Sequence, residues 1–189
     1  MKNSHAGQNQ QRQYGLDARR SMSSEERANA SEVICRKFLR SRFFFSAERI
    51  GIYLSTWDEV DTDEIILRAW RAKKEIFAPV IDDRDHLQFC SLRPDSRIET
   101  RSFGIFEPVN ESRIDARQLD VVVTPLTAFD SNRHRVGMGS GYYDRCFHFQ
   151  NRFTGWKKPK LVGLSFSCQQ VEEIALNRWD IPLYTVFTE

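Results

Sequence analysis

The residues best suited to chemistry lie at positions 120–145, where a β-branched run is followed by a polar bend, an arginine, three glycines at alternate positions and an aspartate. Val121, Val122 and Val123 read as a strand buried on both faces, and Pro125, lacking an N–H, ends its pairing. Gly137, Gly139 and Gly141 permit positive φ and let an anion approach main-chain N–H groups. Residues 142–149 read as the first turns of a helix, whose N-terminal dipole favours negative charge. Arg135 offers a cation for phosphate oxygens, and Asp144 offers a carboxylate for a hard metal. The chemistry implied is the handling of phosphate. Without that company the glycines match neither the dinucleotide fingerprint nor the P-loop, and a plain turn explains them equally well.

Other residue types narrow the field. Cys35, Cys90, Cys146 and Cys168 are too dispersed for a metal pair or a redox C-x-x-C motif, so reduced, mostly buried thiols are expected. His5, His86, His134 and His148 lack zinc-ligand spacing, and His134 reads as a solvated loop residue. A net charge of +2 is too small to argue for nucleic acid, and Arg12, Arg19, Arg20 and Arg27 read as a solvated basic helix face. With 40% hydrophobic and 29% charged residues and no long apolar run, a disordered chain and a membrane span are both excluded. The polar N-terminus, residues 1–13, lacks the apolar centre of a signal peptide, so a cytoplasmic protein is expected.

The elements that must position the loop follow from periodicity. Ser23 and Glu26 form a capping box for a helix over about 24–40, with Ala30, Ile34 and Phe38 on one face. Phe43, Phe44 and Phe45 at its exit read as core and hinge packing rather than a stacking platform for bases. Residues 50–54 and 76–80 read as strands joined by a helix that Asp61 caps and whose stripe is Ile65, Ile66, Ala69 and Trp70. That is a βαβ unit, and a parallel sheet follows. Further strands are expected at 86–92, 119–123, 160–165 and 184–187. The fold class is α/β: a single three-layer α/β/α domain over 1–189 with a mostly parallel, Rossmann-like sheet. The glycine loop sits at the carboxyl end of the Val121 strand, and residues 1–22 form an N-terminal segment able to move.

The run Thr124-Pro125-Leu126, Ala128-Phe129-Asp130 and Arg135 through Arg145 resembles the signature of the 5-formyltetrahydrofolate cyclo-ligase family. The similarity continues through Tyr53-Leu54-Ser55, Glu59 to Thr62, Ala78-Pro79, Gly104-Ile105, Glu107-Pro108, Val162-Gly163, Gln169 and Trp179 to Leu183. It implies conversion of 5-formyltetrahydrofolate to the 5,10-methenyl form with ATP and Mg²⁺, releasing ADP and phosphate. A formyl amide is a weak electrophile, so its oxygen must be phosphorylated before the neighbouring folate nitrogen can displace it, and phosphoryl transfer needs positioning more than a protein nucleophile. The resemblance assigns ATP to Arg12, Arg135, Val136, Gly137, Met138, Gly139, Ser140, Gly141, Tyr142 and Tyr143. The folate falls to Leu54, Glu59, Met138, Gly139, Ser140, Gly141 and Tyr142, magnesium to Asp144 and Asp180, and catalysis to Arg135, Tyr142 and Asp144. Read without the family, Asp180 is a helix cap or turn residue and Glu59 an exposed acid. Trp57 stands between Leu54 and Glu59, where it can stack on the pterin.

Two positions depart from the family pattern. A lysine is common four residues before Arg12, where this chain has Gln8, and Gly15 weakens the helix expected there. Ser140 stands where some relatives carry a basic residue or glycine. A monomer acting on a small molecule, with no nucleic-acid or membrane partner, is expected. Two other readings stay open: an α/β enzyme acting on another phosphorylated metabolite, and an RNA-associated module using the basic N-terminus and the phenylalanines.

Overall fold

The computed structural model describes residues 2–100, 104–109, 111–152 and 158–189. Its helices are α1 (Lys2–Ser21), α2 (Ser24–Leu39), α3 (Arg42–Ser46), α4 (Asp63–Arg71), α5 (Tyr142–Phe147) and α6 (Phe149–Arg152). The main strands are β1 (Arg49–Ile52), β2 (Glu75–Ile81), β3 (Leu87–Ser91), β6 (Arg113–Ile114), β7 (Val121–Thr124), β10 (Lys160–Leu164) and β11 (Thr185–Phe187). Two short antiparallel pairs stand apart: β4 (Ile98–Thr100) with β5 (Phe106–Pro108), and β8 (Ala128–Phe129) with β9 (Arg135–Val136).

The seven-stranded sheet has the order β11-β10-β7-β1-β2-β3-β6. Its first five strands are parallel, β3 alone runs opposite to them, and β6 pairs antiparallel to β3 and so returns to the common direction, which makes the sheet mostly parallel. Alternation along β7 sets the layers. Val121 and Val123 face the cluster containing Ile34 and Phe38 of α2 and Ile65 and Ala69 of α4, whereas Val122 faces Leu161, Phe147 and Phe149. Both faces are therefore covered, as an α/β/α arrangement requires. Burying a side chain such as Phe38 completely contributes roughly 1.5–3 kcal/mol.

The α2 capping box is present: Glu26 N–H donates to Ser23 Oγ at 3.2 Å, and Ser23 N–H donates to Glu26 Oε2 at 2.7 Å. The start of α4 differs from expectation. Thr62, not Asp61, is its N-cap, and the Thr62 hydroxyl turns inward to donate to Tyr53 O at 2.9 Å. Asp61 instead accepts the Asp63 N–H at 2.9 Å, closing the turn one residue earlier. The phenylalanines mostly face inward, with Phe44 buried and Phe43 packed on Tyr184 and Phe187, which leaves Phe45 alone exposed and no three-ring platform.

Chain direction places the functional loops. From β1 the chain crosses through α4 to β2 on one side, and from β7 it goes to β10 on the other. The carboxyl ends of β1 and β7 thus flank the topological switch point, the crevice where open α/β sheets bind ligands. Residues 53–62 leave β1 there, and the segment carrying the glycines leaves β7. The hairpin of β8 and β9 intervenes between β7 and the glycines, so these do not follow the strand directly.

Helix α1 lies across this end and runs through Gly15 without interruption. A Cβ on Gly15 would lie 1.8 Å from Thr127 O, so the helix is pressed onto the β7–β8 connection at a residue without a side chain. Gly15 costs helix propensity but permits that close approach.

Candidate active site

Within the loop, Gly139 and Gly141 have positive φ, at 102° and 70°, whereas Gly137 does not. Met138, Gly139 and Ser140 are exposed, with Met138 at the tip. The underside is fastened internally: Arg145 donates to Ser140 O at 2.5 Å, and the Thr127 hydroxyl to Val136 O at 2.9 Å. The helix that follows, α5, has six residues rather than the eight expected, because a break at His148 separates it from α6. Beneath the hairpin, Asp130 is buried and accepts from the N–H groups of Asn132, His134 and Ile174 at 2.9–3.0 Å. His134 Nδ1 lies 2.9 Å from the same carboxylate, so this histidine staples the hairpin and is not a solvated loop residue.

Arg135 and Asp144 meet each other. Arg135 Nη2 donates to Asp144 Oδ1 at 2.9 Å, and its Nη1 donates to Ile181 O. The guanidinium is buried and held by these two partners, so the cation expected at this position is a fixed one set behind Asp144. Ile181 N–H also donates to Asp144 Oδ1, at 3.0 Å, which brings the neighbouring Asp180 to the loop. Asp180 Oδ2 accepts from Asn177 N–H at 2.8 Å and so closes a turn, as the bland reading of this residue expects. Asp144 Oδ2 and Asp180 Oδ1 take no hydrogen bond from the described residues. Two open carboxylate oxygens fit Mg²⁺, which needs few protein ligands because it retains waters and phosphates. No group of three or more His, Cys, Asp or Glu suited to a metal occurs among the described residues.

Helix α1 closes over the same place. Arg12 Nε donates to Gly137 O at 2.7 Å, and a Cβ on Gly139 would lie 3.2 Å from the Arg12 guanidinium. Burial pulls the Arg12 pKa down. Gln8, where the lysine is absent, donates from Nε2 to Asp180 Oδ2 at 2.7 Å and accepts from Asn177 Nδ2 at 2.8 Å. The side chain that replaces the lysine therefore holds a predicted metal ligand.

Leu54 and Glu59 line a cleft of about 540 Å³ with Arg27, Trp57, Ile98 and Phe106. Trp57 is 70% exposed, with the guanidinium carbons of Arg20 and Arg27 at 6.0 and 5.4 Å from its ring centre. Glu59 Oε2 accepts from Thr56 N–H and Oγ1–H, both at 2.9 Å, and its Oε1 carries no hydrogen bond among the described residues. The glycine loop does not line this cleft; Tyr143 makes the link. Its hydroxyl is buried without a hydrogen-bond partner among the described residues. Burial, followed by the nearby charge of Glu59, raises its pKa, and Arg135 acts in the opposite direction. The phenol thus stands between Glu59 of the cleft and Arg135 of the loop with its polar atom unsatisfied by the described residues. Tyr142 points away and donates to Asp85 Oδ1 at 2.6 Å.

One buried ion-pair cluster has no counterpart in the sequence pattern. Arg19 is buried, not solvated, and with Arg20 it clamps Asp58. A buried ion pair between segments nearly 40 positions apart leaves no periodic trace, and the adjacent acids Asp58 and Glu59 were its only visible sign.

The model of the 5-formyltetrahydrofolate cyclo-ligase family matches residues 4–189. The chain is 36% identical over 146 residues to the 5-formyltetrahydrofolate cyclo-ligase of Haemophilus influenzae, covering 74% of this chain and 75% of that protein. It is 32% identical over 174 residues to the Escherichia coli protein of the same name, covering 90% and 93%. Among solved structures, the Aquifex aeolicus 5,10-methenyltetrahydrofolate synthetase superposes with a TM-score of 0.80 at 26% identity, covering 95% of this chain and 88% of that one. A Mycoplasma pneumoniae 5,10-methenyltetrahydrofolate synthetase shares the fold, with a TM-score of 0.75 at 20% identity, covering 96% and 98%. With its sheet, its loop signature and these similarities along nearly the whole chain, the protein is a ligase that belongs to the 5-formyltetrahydrofolate cyclo-ligase family.

Proposed function

We propose that this enzyme converts 5-formyltetrahydrofolate to 5,10-methenyltetrahydrofolate in an ATP- and Mg²⁺-dependent reaction in the cytoplasm, acting as a monomer. The observation that carries this reading is the meeting of two loop sets at one switch point, with the orphaned Tyr143 hydroxyl between them. No described helix is long and apolar enough to cross a membrane.

Transfer of the γ-phosphoryl group breaks its bond to ADP and forms a bond to the formyl oxygen. The neighbouring folate nitrogen then attacks the formyl carbon, loses its proton, and phosphate departs with the oxygen. The exposed backbone at residues 137–141 receives the phosphates, and Arg12 supplies charge from above. Arg135, buried behind Asp144, lends its charge from inside the loop and keeps the carboxylate oriented. Asp144 Oδ2 and Asp180 Oδ1 would hold the magnesium, which neutralises charge on phosphate oxygens when bound. Glu59 Oε1 accepts N–H groups of the pterin, Leu54 packs on its ring, and the Tyr143 hydroxyl faces the polar group undergoing transfer.

The test is a spectroscopic cyclisation assay with the purified protein. Methenyl product should form with ATP and Mg²⁺ together and fail to form when either is omitted. No conversion with both present would overturn the proposal, and conversion without ATP would overturn the phosphorylation step.

A further inference from the structure

Helix α1 is anchored unlike its neighbours. Where α2 buries Ile34, Cys35 and Phe38, the buried residues of α1 among those described are Gln8, Gly15, Leu16 and Arg19. One leucine is a poor anchor for 20 residues, so polar contacts must hold this helix in place.

The strongest of these contacts is at its carboxyl end. Asp58, whose side chain is 4% exposed, accepts a two-pronged contact from Arg19: Nη2 to Oδ1 at 3.1 Å and Nε to Oδ2 at 3.2 Å. Arg20 Nε adds a donor to Oδ2 at 2.9 Å, and Thr56 Oγ1 lies 3.3 Å from Oδ1. A guanidinium fork fixes orientation as well as charge, which a lone ammonium does not. The same Thr56 hydroxyl lies 2.9 Å from Glu59 Oε2, and Thr56 N–H donates to that oxygen as well. A continuous path therefore runs from α1 through Arg19, Asp58 and Thr56 to Glu59.

The other end of the helix reaches the opposite half of the site through Arg12 on Gly137 O and Gln8 on Asp180. Gln8 and Arg19 are eleven positions apart, roughly 16 Å of helix at 1.5 Å per residue, and Gly15 pins the middle against Thr127. A rod held at three points passes a displacement at one end to the other.

We propose that Asp58 is a positioning residue: with Arg19 and Arg20 it latches α1 to the Glu59 loop, fixing Glu59 for the folate and setting α1 at the height where Arg12 and Gln8 meet the nucleotide side. This rests on the folate and ATP assignments made above. The latch is a feature of the ground state and touches no reacting atom.

Steady-state kinetics and thermal melting test it. Asp58→Asn should raise the KM for 5-formyltetrahydrofolate about tenfold and that for ATP about threefold. The double variant Arg19→Met with Asp58→Asn removes the unpaired buried guanidinium; it should regain melting temperature over the single variant yet keep both raised KM values. Thr56→Val leaves the ion pairs intact and cuts the hydroxyl link to Glu59, so it should raise the folate KM alone. It also decides the matter if Asp58→Asn does not fold. Unchanged folate KM in Thr56→Val, or KM values that recover together with melting temperature in the double variant, would overturn the proposal. A wild-type protein that performs no cyclisation would instead overturn the functional reading on which it rests.

Discussion

Two carboxylates, Asp58 and Asp144, each bind a buried arginine, yet they sit in opposite circumstances. Asp58 receives three guanidinium N–H donors on its two oxygens, with the Thr56 hydroxyl 3.3 Å from Oδ1, and is closed to solvent. Asp144 receives Arg135 and Ile181 N–H on one oxygen, keeps the other open, and is 21% exposed. The arginine is common to both and does not distinguish them. The unused oxygen does: a saturated carboxylate fixes the position of its neighbours, whereas one held on a single side can still bind a ligand.

The largest effect that tests this contrast is on turnover. Asp144→Asn keeps the shape and one acceptor but weakens both the pair with Arg135 and any hold on a cation. We expect kcat to fall on the order of 10²–10³-fold with an intact melting profile, as for loss of a group that stabilises developing charge. Near wild-type turnover would place Asp144 with Asp58 among the scaffold groups.

Asp58→Asn should show the reverse balance, with stability as the larger loss. Removing one partner of a buried pair costs about 3–5 kcal/mol, and at 3 kcal/mol a chain of this size melts roughly 6–12 °C lower. The loss should also depend on pH. Burial alone would raise the Asp58 pKa, but the hydrogen bonds and charge of Arg20 and Arg19 carry it below the ordinary value. Folding therefore favours the ionised form. The stabilisation is complete above the unfolded value, near about pH 4, and is lost as pH falls through the lower folded one. Melting curves of wild type and Asp58→Asn should thus differ most at neutral pH and converge in acid. A gap that stays constant down to pH 3 would show that the charge of Asp58 is not what holds the helix.

The layers were legible because hydrophobic period decides them. Val121 to Val123, the stripe of α4 and the Ser23 capping box all report on neighbours close in sequence or on simple burial. The glycine segment was legible as an anion-tolerant turn, and Arg135 and Asp144 as charges, but their bonding to each other was not, because spacing carries no orientation. Thr62 replaced Asp61 as the cap because a tertiary contact, its hydroxyl on Tyr53 O, competed with local preference. Gly15 misled for the same reason: its cost to the helix is local, and the need for it lies on Thr127. Arg19 carries the sequence pattern of a solvated residue, as most helical arginines do, and only the fold brings Asp58 to it.

A smaller effect should follow from Gly15→Ala. In a free helix this change gains up to about 1 kcal/mol, but here the new Cβ would stand 1.8 Å from Thr127 O. The helix must lift, so we expect a net loss of about 1–3 kcal/mol, as for overpacking, and a raised KM for ATP. A stabilised variant with unchanged KM would mean that α1 moves without consequence for the nucleotide side.

The finest test of the contrast is Gln8→Lys. Gln8 now spends its amide on Asp180 Oδ2 and Asn177, so it orders the second open carboxylate without adding charge. A lysine there adds one positive charge beside Asp180, on the side where the proposed function puts the ATP phosphates; if screened nearly as in water, that is worth about 1 kcal/mol, or a roughly fivefold lower KM for ATP. The same ammonium also competes with magnesium for Asp180. Titrating Mg²⁺ at fixed ATP separates the two effects: a lower ATP KM with an unchanged Mg²⁺ midpoint means that Asp180 keeps Oδ1 open while Oδ2 is held. A raised midpoint would mean that the ammonium closes Asp180 to the metal, turning an open carboxylate into a saturated one like Asp58.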